Sequence, residues 1–402
     1  MRFSIRPLLF LAVAAPLSSY ALGIRIVDQD AEATGRGDAF AATADNPSAI
    51  YYNPAGITQL PGENFSLGAY AIVLKDYVSP KGGGPSFEST NALQAVPHFY
   101  YTITPNHFPL TFGLGIYAPY GLAIQYPDNT PFRTLATQGQ LIYVTANPVV
   151  AWKVCDQLSI AIGLTINYGD ETLSRGIFSP GDRFRFRGQG TALGYNAGVM
   201  WQPFRMVSIG LNYRSKSSMI FDGHSAARVA PNAAYGNDTL VTYPRENAKL
   251  GMPFPQNAVF GLSFRPAKNW NLEFDLDWTD WDVLRTVELT KASGNVSLPF
   301  DWNSSCFYEA GLTHNFNYGL RGSLGYIYSA NSVPAAVFNP IVPDSNRHIF
   351  SIGIGQDIKN FTWDLAYQFA YGPPRTISNG GLADGTYTFI SNAINLSFGF
   401  HF

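Results

Sequence analysis

The sequence predicts an all-β transmembrane fold, a 14-stranded antiparallel β-barrel with an N-terminal plug of short helices inside the lumen. Three observations favour it: apolar and polar side chains alternate with a period of two, the alternating segments number fourteen, and the loops between them are short and long in turn. The chain is only 13% charged and 15% aromatic, with a mean hydropathy of -0.02. Its formal net charge of -2 argues against a nucleic-acid partner.

The first element is a predicted signal peptide, residues 1–21. Arg2 and Arg6 precede an apolar run at residues 7–17, and small residues lead up to Ala21. The run is too short to span a bilayer, so we expect cleavage after Ala21; a short N-terminal anchor helix is the alternative. The rest of the sequence has no run of 18 apolar residues, which argues against a helical membrane protein.

The second element, residues 22–62, shows no clean strand pattern. The pairs Asn46-Pro47 and Asn53-Pro54 each put a favoured helix cap before a favoured first helical residue, which predicts two short helical turns. Fourteen strands enclose more space than the eight whose own side chains can fill a barrel. We therefore expect this segment to plug the lumen, and the alternative is a periplasmic tail that does not touch it.

The third element is the barrel, residues 63–402. In the final stretch, "INLSFGFHF", every second residue is large and apolar, and such alternation over nine to twelve residues is typical of long strands. The predicted strands cover residues 64–77, 92–104, 109–125, 136–153, 157–177, 185–203, 205–222, 256–265, 269–289, 303–315, 319–329, 347–357, 361–373 and 388–402.

The loops between these strands sort into tight turns on one rim and long polar loops on the other. A bacterial outer-membrane barrel shows this pattern, whereas a soluble β-sandwich has no reason to. A sheet in lipid must close on itself and turn its apolar face outward. We expect a monomer in the outer membrane of a Gram-negative bacterium, surrounded by membrane lipid and kept dispersed in vitro by detergent. The final strand ends at Phe402, where the outer-membrane assembly machinery is expected to bind.

Several segments resemble one known family. "DAFAATADNPSAIYYNPAGITQLPG" is similar to the hatch segment of the FadL/TodX-type outer-membrane transporters for long-chain fatty acids and aromatic hydrocarbons. The hallmark of that hatch is the tripeptide N-P-A, here Asn53-Pro54-Ala55, followed by Gly56. The resemblance continues in order through residues 112–126, 196–215, 270–282, 331–334, 343–348 and the terminal Phe. It implies a hatch inside a fourteen-stranded barrel, an interior pocket for hydrophobic molecules, and lateral release at a kink in the third strand.

The third strand contains Gly113, Gly115, Pro119 and Gly121. Pro removes a backbone donor from the sheet and Gly marks bulges or bends, so we expect the lateral opening at these residues. The alternative is that the glycines only make room for the hatch or for a large neighbour.

The ligand is expected to be a hydrophobic small molecule in the barrel interior. The candidate ligand-binding residues are Leu22, Phe112, Tyr117, Tyr120, Asp170, Arg175 and Asn303. Many members of the family carry a Lys-Asp pair where this chain has Asn303-Ser304, which favours neutral substrates over carboxylates. Arg175, Lys216 or a loop lysine remains a possible partner for a carboxylate.

Two other functions fit the sequence less well. An outer-membrane enzyme finds little support, because the six His residues are scattered and no Ser or acid stands at a telling spacing from them. A general porin for polar solutes would need a water-filled lumen, and a plug would exclude that water. No cofactor, metal or catalytic residue is predicted. Cys155 and Cys306 are expected on opposite sides of the membrane, where they cannot form a disulfide.

Overall fold

The computed structural model describes residues 24–90, 93–231 and 240–402. The predicted signal peptide and Leu22 lie outside these ranges. Fourteen antiparallel strands close into one barrel, as predicted. The strands are Gly62–Pro80, Gln94–Thr104, Leu110–Tyr117 with Gly121–Gln125, Gln138–Cys155, Leu158–Arg175, Arg183–Phe204, Val207–Arg214 with Ser217–Val229, Val241–Phe254 with Asn257–Phe264, Trp270–Thr279, Ser305–Asn315, Leu320–Ser329, Arg347–Ile358, Phe361–Ile377 and Gly385–His401.

The first and last strands close the barrel. Their register runs without interruption from Asn64 opposite His401 to Pro80 opposite Gly385. This pairing closes the sheet on itself, which is what backbone groups in lipid require. The third, seventh and eighth strands are each built from two segments, and the short strands Phe87–Glu88, Thr286–Lys291 and Val296–Pro299 extend the wall at the long-loop rim.

The two faces of the strands separate as the alternation predicts. In the ninth strand, Trp270 and Phe274 are 41% and 58% exposed, whereas Glu273 and Asp275 are buried. In the last strand, Ile394 is 52% exposed while Asn395 is fully buried. In these stretches the large apolar side chains therefore face outward, and the polar side chains face the barrel interior.

Two predicted boundaries were wrong. Residues 223–255 were expected to form a loop, but most of them belong to the strands Ser217–Val229 and Val241–Phe254. The side chains of residues 241–245 are exposed on both faces, and alternation begins only in the second half of this strand, where Ala248, Leu250 and Phe254 are buried. The predicted strand 269–289 ends at Thr279; a 3₁₀ helix, Trp281–Val283, follows it, and Thr286–Lys291 turns back to pair with Val241–Phe254.

Short helices occur mainly in the N-terminal segment. They are Ala31–Gly35, Ala49–Tyr52 and the 3₁₀ helix Pro54–Gln59, with further 3₁₀ turns at Asn317–Gly319 and Ala335–Val337. The turns predicted after Asn46-Pro47 and Asn53-Pro54 are confirmed, while Ala31–Gly35 was not predicted. None of the helices in the described ranges is long and apolar enough to cross a membrane. Cys155 and Cys306 are both free thiols.

Candidate functional site

The N-terminal segment, residues 24–61, fills the barrel interior and is called the hatch from here on. Most of its side chains are buried. The Asp30 carboxylate caps the helix Ala31–Gly35 by accepting from the N–H groups of Glu32 and Ala33 at 3.1 and 3.3 Å. The fourteenth strand holds this helix, because Ser397 Oγ accepts from the Ala31 N–H at 2.9 Å. The hatch is thus attached to the inner wall through polar contacts.

Two carboxylates of the ninth strand anchor the middle of the hatch. Glu273 accepts from the N–H groups of Ala42 and Thr43 at 2.6 and 3.1 Å. Asp275 accepts from the N–H groups of Phe40 and Ala41 at 3.0 and 2.8 Å. In addition, Arg36 forms a buried ion pair with Glu273 at 3.2 Å. The inward acids of this strand therefore satisfy four hatch donors that would otherwise be buried without partners.

The N-P-A tripeptide joins the hatch to the sixth strand. Asn53 Oδ1 accepts from the Ala55 N–H at 3.2 Å, while Asn53 Nδ2 donates to the carbonyls of Ala41 and Val199 at 2.7 and 3.0 Å. Ala55 is fully buried. A Cβ on Gly198 would lie 2.4 Å from Asn53 Oδ1 and 2.8 Å from Pro54 Cδ. The wall can approach the tripeptide this closely because residue 198 has no side chain.

Gly56 is a second point of close approach, within the hatch itself. A Cβ there would meet the Ala44 carbonyl oxygen at 2.2 Å. The predicted hatch residues 53–56 are thus all packed in the interior.

The third strand is interrupted at residues 118–120, and the hatch takes up the backbone groups that the interruption leaves. Pro119 O accepts from the Ile26 N–H at 2.9 Å, and Ile24 O accepts from the Gly121 N–H at 2.8 Å. The Gln29 side chain donates to Ala118 O at 2.9 Å and accepts from the Ala118 N–H at 3.3 Å. Hatch residues 24–29 therefore replace a neighbouring strand at this point.

A gap in the barrel wall lies beside the interruption. The second and third strands pair only from Phe99 opposite Ile116 to Ile103 opposite Phe112. Residues 94–98 pair with the first strand, and Gly121–Gln125 pairs with the fourth, but within the described ladders these two stretches do not pair with each other. Ile26 lies in one buried cluster with Val96 and Ala118. A hatch side chain thus fills the space that the missing ladder leaves.

The residues predicted for the lateral opening divide into two groups. Pro119 and Gly121 lie at the interruption. Gly113 and Gly115 instead lie in the regularly paired part of the strand, where an added Cβ would meet Ile50 of the hatch at 2.8 and 2.9 Å. These two glycines make room for the hatch, which was the alternative interpretation of them.

Arg25 and Arg214 form the polar centre of the interior. Arg25 makes a bidentate ion pair with Asp277 and also donates to Thr279 Oγ1 at 2.6 Å. The Arg214 guanidinium lies 4.6 Å from the ring centroid of Tyr51 and donates to the Tyr117 hydroxyl at 3.1 Å. Between them is a cavity of about 20 Å³, enough for about one water molecule. Asp38, Asp275, Asp277 and Glu309 also line it, so its carboxylates outnumber its two arginines.

A large apolar cluster occupies the interior between the interruption and the long-loop rim. It begins at Ile24, Val27 and Tyr120, and it continues through aromatic and aliphatic side chains of many strands and loops. Its largest fully buried members are Trp302, Tyr143, Phe132, Phe186, Phe221 and Phe254. We call it the outer core. It gives the barrel a dry region that adjoins the wall gap.

The predicted ligand-binding residues do not form one site. Tyr117 and Tyr120 are buried inside; Tyr117 donates to Asn147 Oδ1 at 2.8 Å, and Tyr120 donates to Pro255 O at 3.0 Å. Phe112 is 39% exposed and faces outward with its alternate neighbours Leu114 and Ile116, so it does not line the interior.

The polar candidates lie away from the polar centre. Asp170 is on the outward parity of the fifth strand and is bonded to Arg187. Arg175 packs over the Phe184 ring at 5.8 Å, and Asn303 and Lys216 are exposed. Glu171, next to Asp170, is the buried carboxyl of this stretch, opposite Leu141 of the outer core.

Sequence reasoning missed Arg25, Ile26, Gln29 and Arg214, which make the contacts at the polar centre and the gap. One signal was available: Glu273, Asp275 and Asp277 stand at alternate positions on the inward face of one strand, and three buried acids need donors. Which donors they meet depends on contacts across more than two hundred residues. Among the described residues, no cluster of His, Cys, Asp and Glu is suited to a metal ion.

Comparisons with known proteins give a consistent result. A family profile described as "Outer membrane protein transport protein (OMPP1/FadL/TodX)" matches residues 12–400. The long-chain fatty acid transport protein of Escherichia coli O6:H1 is 22% identical over 436 residues, covering 98% of this chain and 97% of that protein.

Two solved structures share the fold. A Pseudomonas aeruginosa FadL homologue has a TM-score of 0.81 at 18% identity, with 94% of this chain and 100% of that chain covered. The Pseudomonas putida toluene transporter TodX has a TM-score of 0.76 at 15% identity, with 96% and 99% covered.

Proposed function

The chain belongs to the OMPP1/FadL/TodX family of outer membrane transport proteins, and from this premise we propose that it takes up hydrophobic small molecules and releases them sideways through the gap in its wall. Relatives with this fold include a long-chain fatty acid transport protein and a toluene transporter. The single observation that carries the proposal is that hatch residues 24–29 stand in for a strand beside the interrupted third strand.

The proposed route starts in the outer core. A hydrophobic solute exchanges water for apolar side chains there, which is worth about 0.8 kcal/mol for each buried CH₂ group. The outer core adjoins the interruption through Tyr120 and Leu122, so the solute reaches the gap without crossing water. Withdrawal of Ile26 from Val96 and Ala118 then opens a path into the bilayer.

Neutral hydrocarbons fit this interior better than carboxylates. Arg25 is already paired with Asp277, and four carboxylates surround the two arginines of the polar centre. Glu171 adds a buried carboxyl at the outer core, and it offers an anionic ligand no cationic partner. Arg214 is the remaining interior candidate for a fatty-acid carboxylate, since no carboxylate of the described residues lies within ion-pair distance of it.

The proposal includes three further points. The protein acts as a channel and not as an enzyme; it functions as a monomer; and the outer-membrane assembly machinery recognises its last strand together with Phe402. The proposed domain organisation is a signal peptide over residues 1–21, a hatch over residues 22–62 and a barrel over residues 63–402. A porin for polar solutes is disfavoured because buried hatch residues occupy the interior.

Competitive binding and uptake test the function together. Purified protein in detergent is titrated with toluene and with a long-chain fatty acid, and uptake of both is followed in a bacterial strain that lacks its own transporters of this family. We expect saturable binding, tighter for the neutral ligand, and uptake that depends on the protein. Large steady ionic currents through planar bilayers without hydrophobic binding would support a porin and contradict the proposal.

A further inference from the structure

The outward face of the sixth strand changes character along its length. From Trp201 to Leu193 its outward side chains are apolar or aromatic, and Leu193 is 67% exposed. Beyond Leu193 the outward positions are Thr191, Gln189, Arg187, Arg185 and Arg183, all exposed. Their inward neighbour Phe186 is fully buried, which fixes the direction of the alternation. The arginines therefore stand outside the barrel, directly above the apolar band.

The seventh strand adds a fourth arginine to this face. Arg228 is directly opposite Arg183 in the antiparallel register, and Ala226 is opposite Arg185. Two like charges directly opposite each other on one face destabilise a sheet unless an anion lies between them. Arg187 is neutralised by Asp170 at 3.0 Å, but within the described residues no carboxylate lies within ion-pair distance of Arg183, Arg185 or Arg228.

A groove of about 400 Å³ lies among these three arginines. Asp128 and Asp182 also line the groove, and both carboxylates already accept hydrogen bonds. Asp128 accepts from Arg133 at 2.9 Å and from the Gly181 N–H at 2.7 Å. Asp182 accepts from the N–H groups of Phe178 and Ser179 at 3.0 and 2.8 Å. The groove therefore keeps an excess of positive charge.

Three lysines elsewhere near the long-loop rim differ in this respect. Lys75 pairs with Glu88 at 3.0 Å, Lys291 with Glu246 at 3.1 Å, and Lys249 with Asp222 at 2.9 Å. Their pairing contrasts with the unpaired arginines that line the groove.

The height of the arginines indicates which anion could reach them. Arg187 and Arg183 lie six and ten residues beyond Leu193. At about 3.3 Å per residue and a strand tilt of about 40°, they stand roughly 15 and 25 Å above the apolar band. That level is occupied by the sugar part of an outer-leaflet glycolipid, beyond the reach of an ordinary phospholipid headgroup.

Lower on the same wall is a second, apolar depression. It has a volume of about 420 Å³ and is lined by outward side chains such as Ala197, Leu211, Phe260 and Trp278. Because it lies within the apolar band, it suits an acyl chain. A lipid in contact with this wall can therefore place a chain in the depression while its anionic sugars reach the arginines.

We infer that Arg183, Arg185 and Arg228 form a binding site for phosphate groups on the sugar part of an outer-leaflet glycolipid, lipopolysaccharide. Guanidinium groups bind phosphate in a bidentate manner, which suits this class of ligand. The site lies outside the barrel and is independent of the proposed transport route. Its occupation would offset the repulsion between Arg183 and Arg228 and hold the protein upright in the membrane.

The test compares two variants of the full chain with equal loss of charge. One carries Arg183→Gln, Arg185→Gln and Arg228→Gln; the control carries Arg205→Gln, Lys268→Gln and Lys359→Gln, which are exposed positions on the short-turn rim. Fluorescently labelled lipopolysaccharide with a phosphorylated core is titrated into each protein in uncharged detergent. We expect the first variant to bind at least tenfold more weakly than wild type and the control to stay within twofold. Neither variant should melt below wild type, because all the substituted side chains are exposed.

Three further binding measurements identify the ligand. Phosphatase-treated lipopolysaccharide should bind wild type about as weakly as the intact form binds the first variant. The inference would be overturned if the affinities of wild type and the first variant for lipopolysaccharide differed by less than twofold. It would also be overturned if dephosphorylation left the affinity of wild type unchanged. Phosphatidylglycerol that binds as tightly as lipopolysaccharide would indicate a phospholipid site instead. Equal displacement of the probe by inorganic phosphate at matched concentration would indicate a site for free anions, and either result would also overturn it.

Discussion

Arg25 and Asp277 form a bidentate ion pair in the barrel interior, with Nη1 to Oδ1 at 2.7 Å and Nη2 to Oδ2 at 2.6 Å. Both side chains are buried. The backbone of Arg25 also bridges Tyr120 at the interruption of the third strand. The hatch residue beside the wall gap is therefore tied to the ninth strand on the far side of the barrel.

Asp277→Asn should loosen the hatch next to the gap. Removal of one partner of a buried ion pair costs about 3–5 kcal/mol, because the other charge stays buried. We expect the amides of residues 24–29 to exchange hydrogen at least a hundredfold faster, measured by mass spectrometry. The control is Asp282→Asn, whose partner Arg285 is 3.6 Å away and largely exposed. Equal exchange in wild type and Asp277→Asn would contradict the anchoring role of the pair.

Gly198→Val should displace the N-P-A tripeptide. The new Cβ would lie within 3 Å of both Asn53 and Pro54, and such overpacking costs about 1–3 kcal/mol. We expect a lower melting temperature and altered uptake, with the barrel still assembled. Gly251→Val is the matched control, since a Cβ there meets no atom within 4 Å. If the two valine variants behaved alike, the contact between Gly198 and the hatch would be unimportant.

The barrel was predictable because its rule is local. Trp270 and Phe274 alternate with Glu273 and Asp275 for two local reasons. Successive side chains of a strand point to opposite faces, and one face meets lipid while the other meets the barrel interior. The rule fails where both faces of a strand meet water, as at residues 241–245, which the sequence assigns to a loop. The hatch turns were predictable for a similar reason, since Asn53 and Pro54 are adjacent in sequence.

The candidate site was much less predictable. Ile26 fills the gap because Val96 and Ala118 come together only in the closed barrel. Gly113 and Gly115 look like kink residues in the sequence, yet they accommodate Ile50. Contacts between distant residues of this kind leave no periodic signal in a single sequence.

The loop at Asp384 should lose order in acid. The N–H groups of Asn379 and Gly380 donate to the Asp384 carboxylate at 2.9 and 3.1 Å, which lowers the pKa of this loop residue below its usual range. A lowered pKa in the folded state contributes stability above the unfolded value of about 3.9, and that contribution is lost as pH falls through the folded pKa.

Proteolysis of residues 378–385 between pH 6 and pH 2.5, with an acid-stable protease, measures this effect. We expect cleavage to increase toward the acid end in wild type. Asp384→Asn should be cleaved readily at every pH, because the charged acceptor is absent throughout. A pH profile shared by both proteins would mean that another group controls the loop.

The wall gap is tested most directly by closing it. In a chain with Cys155→Ser and Cys306→Ser, cysteines are placed at Val96 and Ala118, and their two thiols are joined by addition to a short bis-maleimide. A second chain carries cysteines at Phe99 and Ile116, which are already partners in the sheet. We predict that cross-linking at Val96 and Ala118 stops uptake of the hydrophobic substrate and leaves its binding intact, while the second pair has no effect. Normal uptake through the chain linked at Val96 and Ala118 would contradict lateral release.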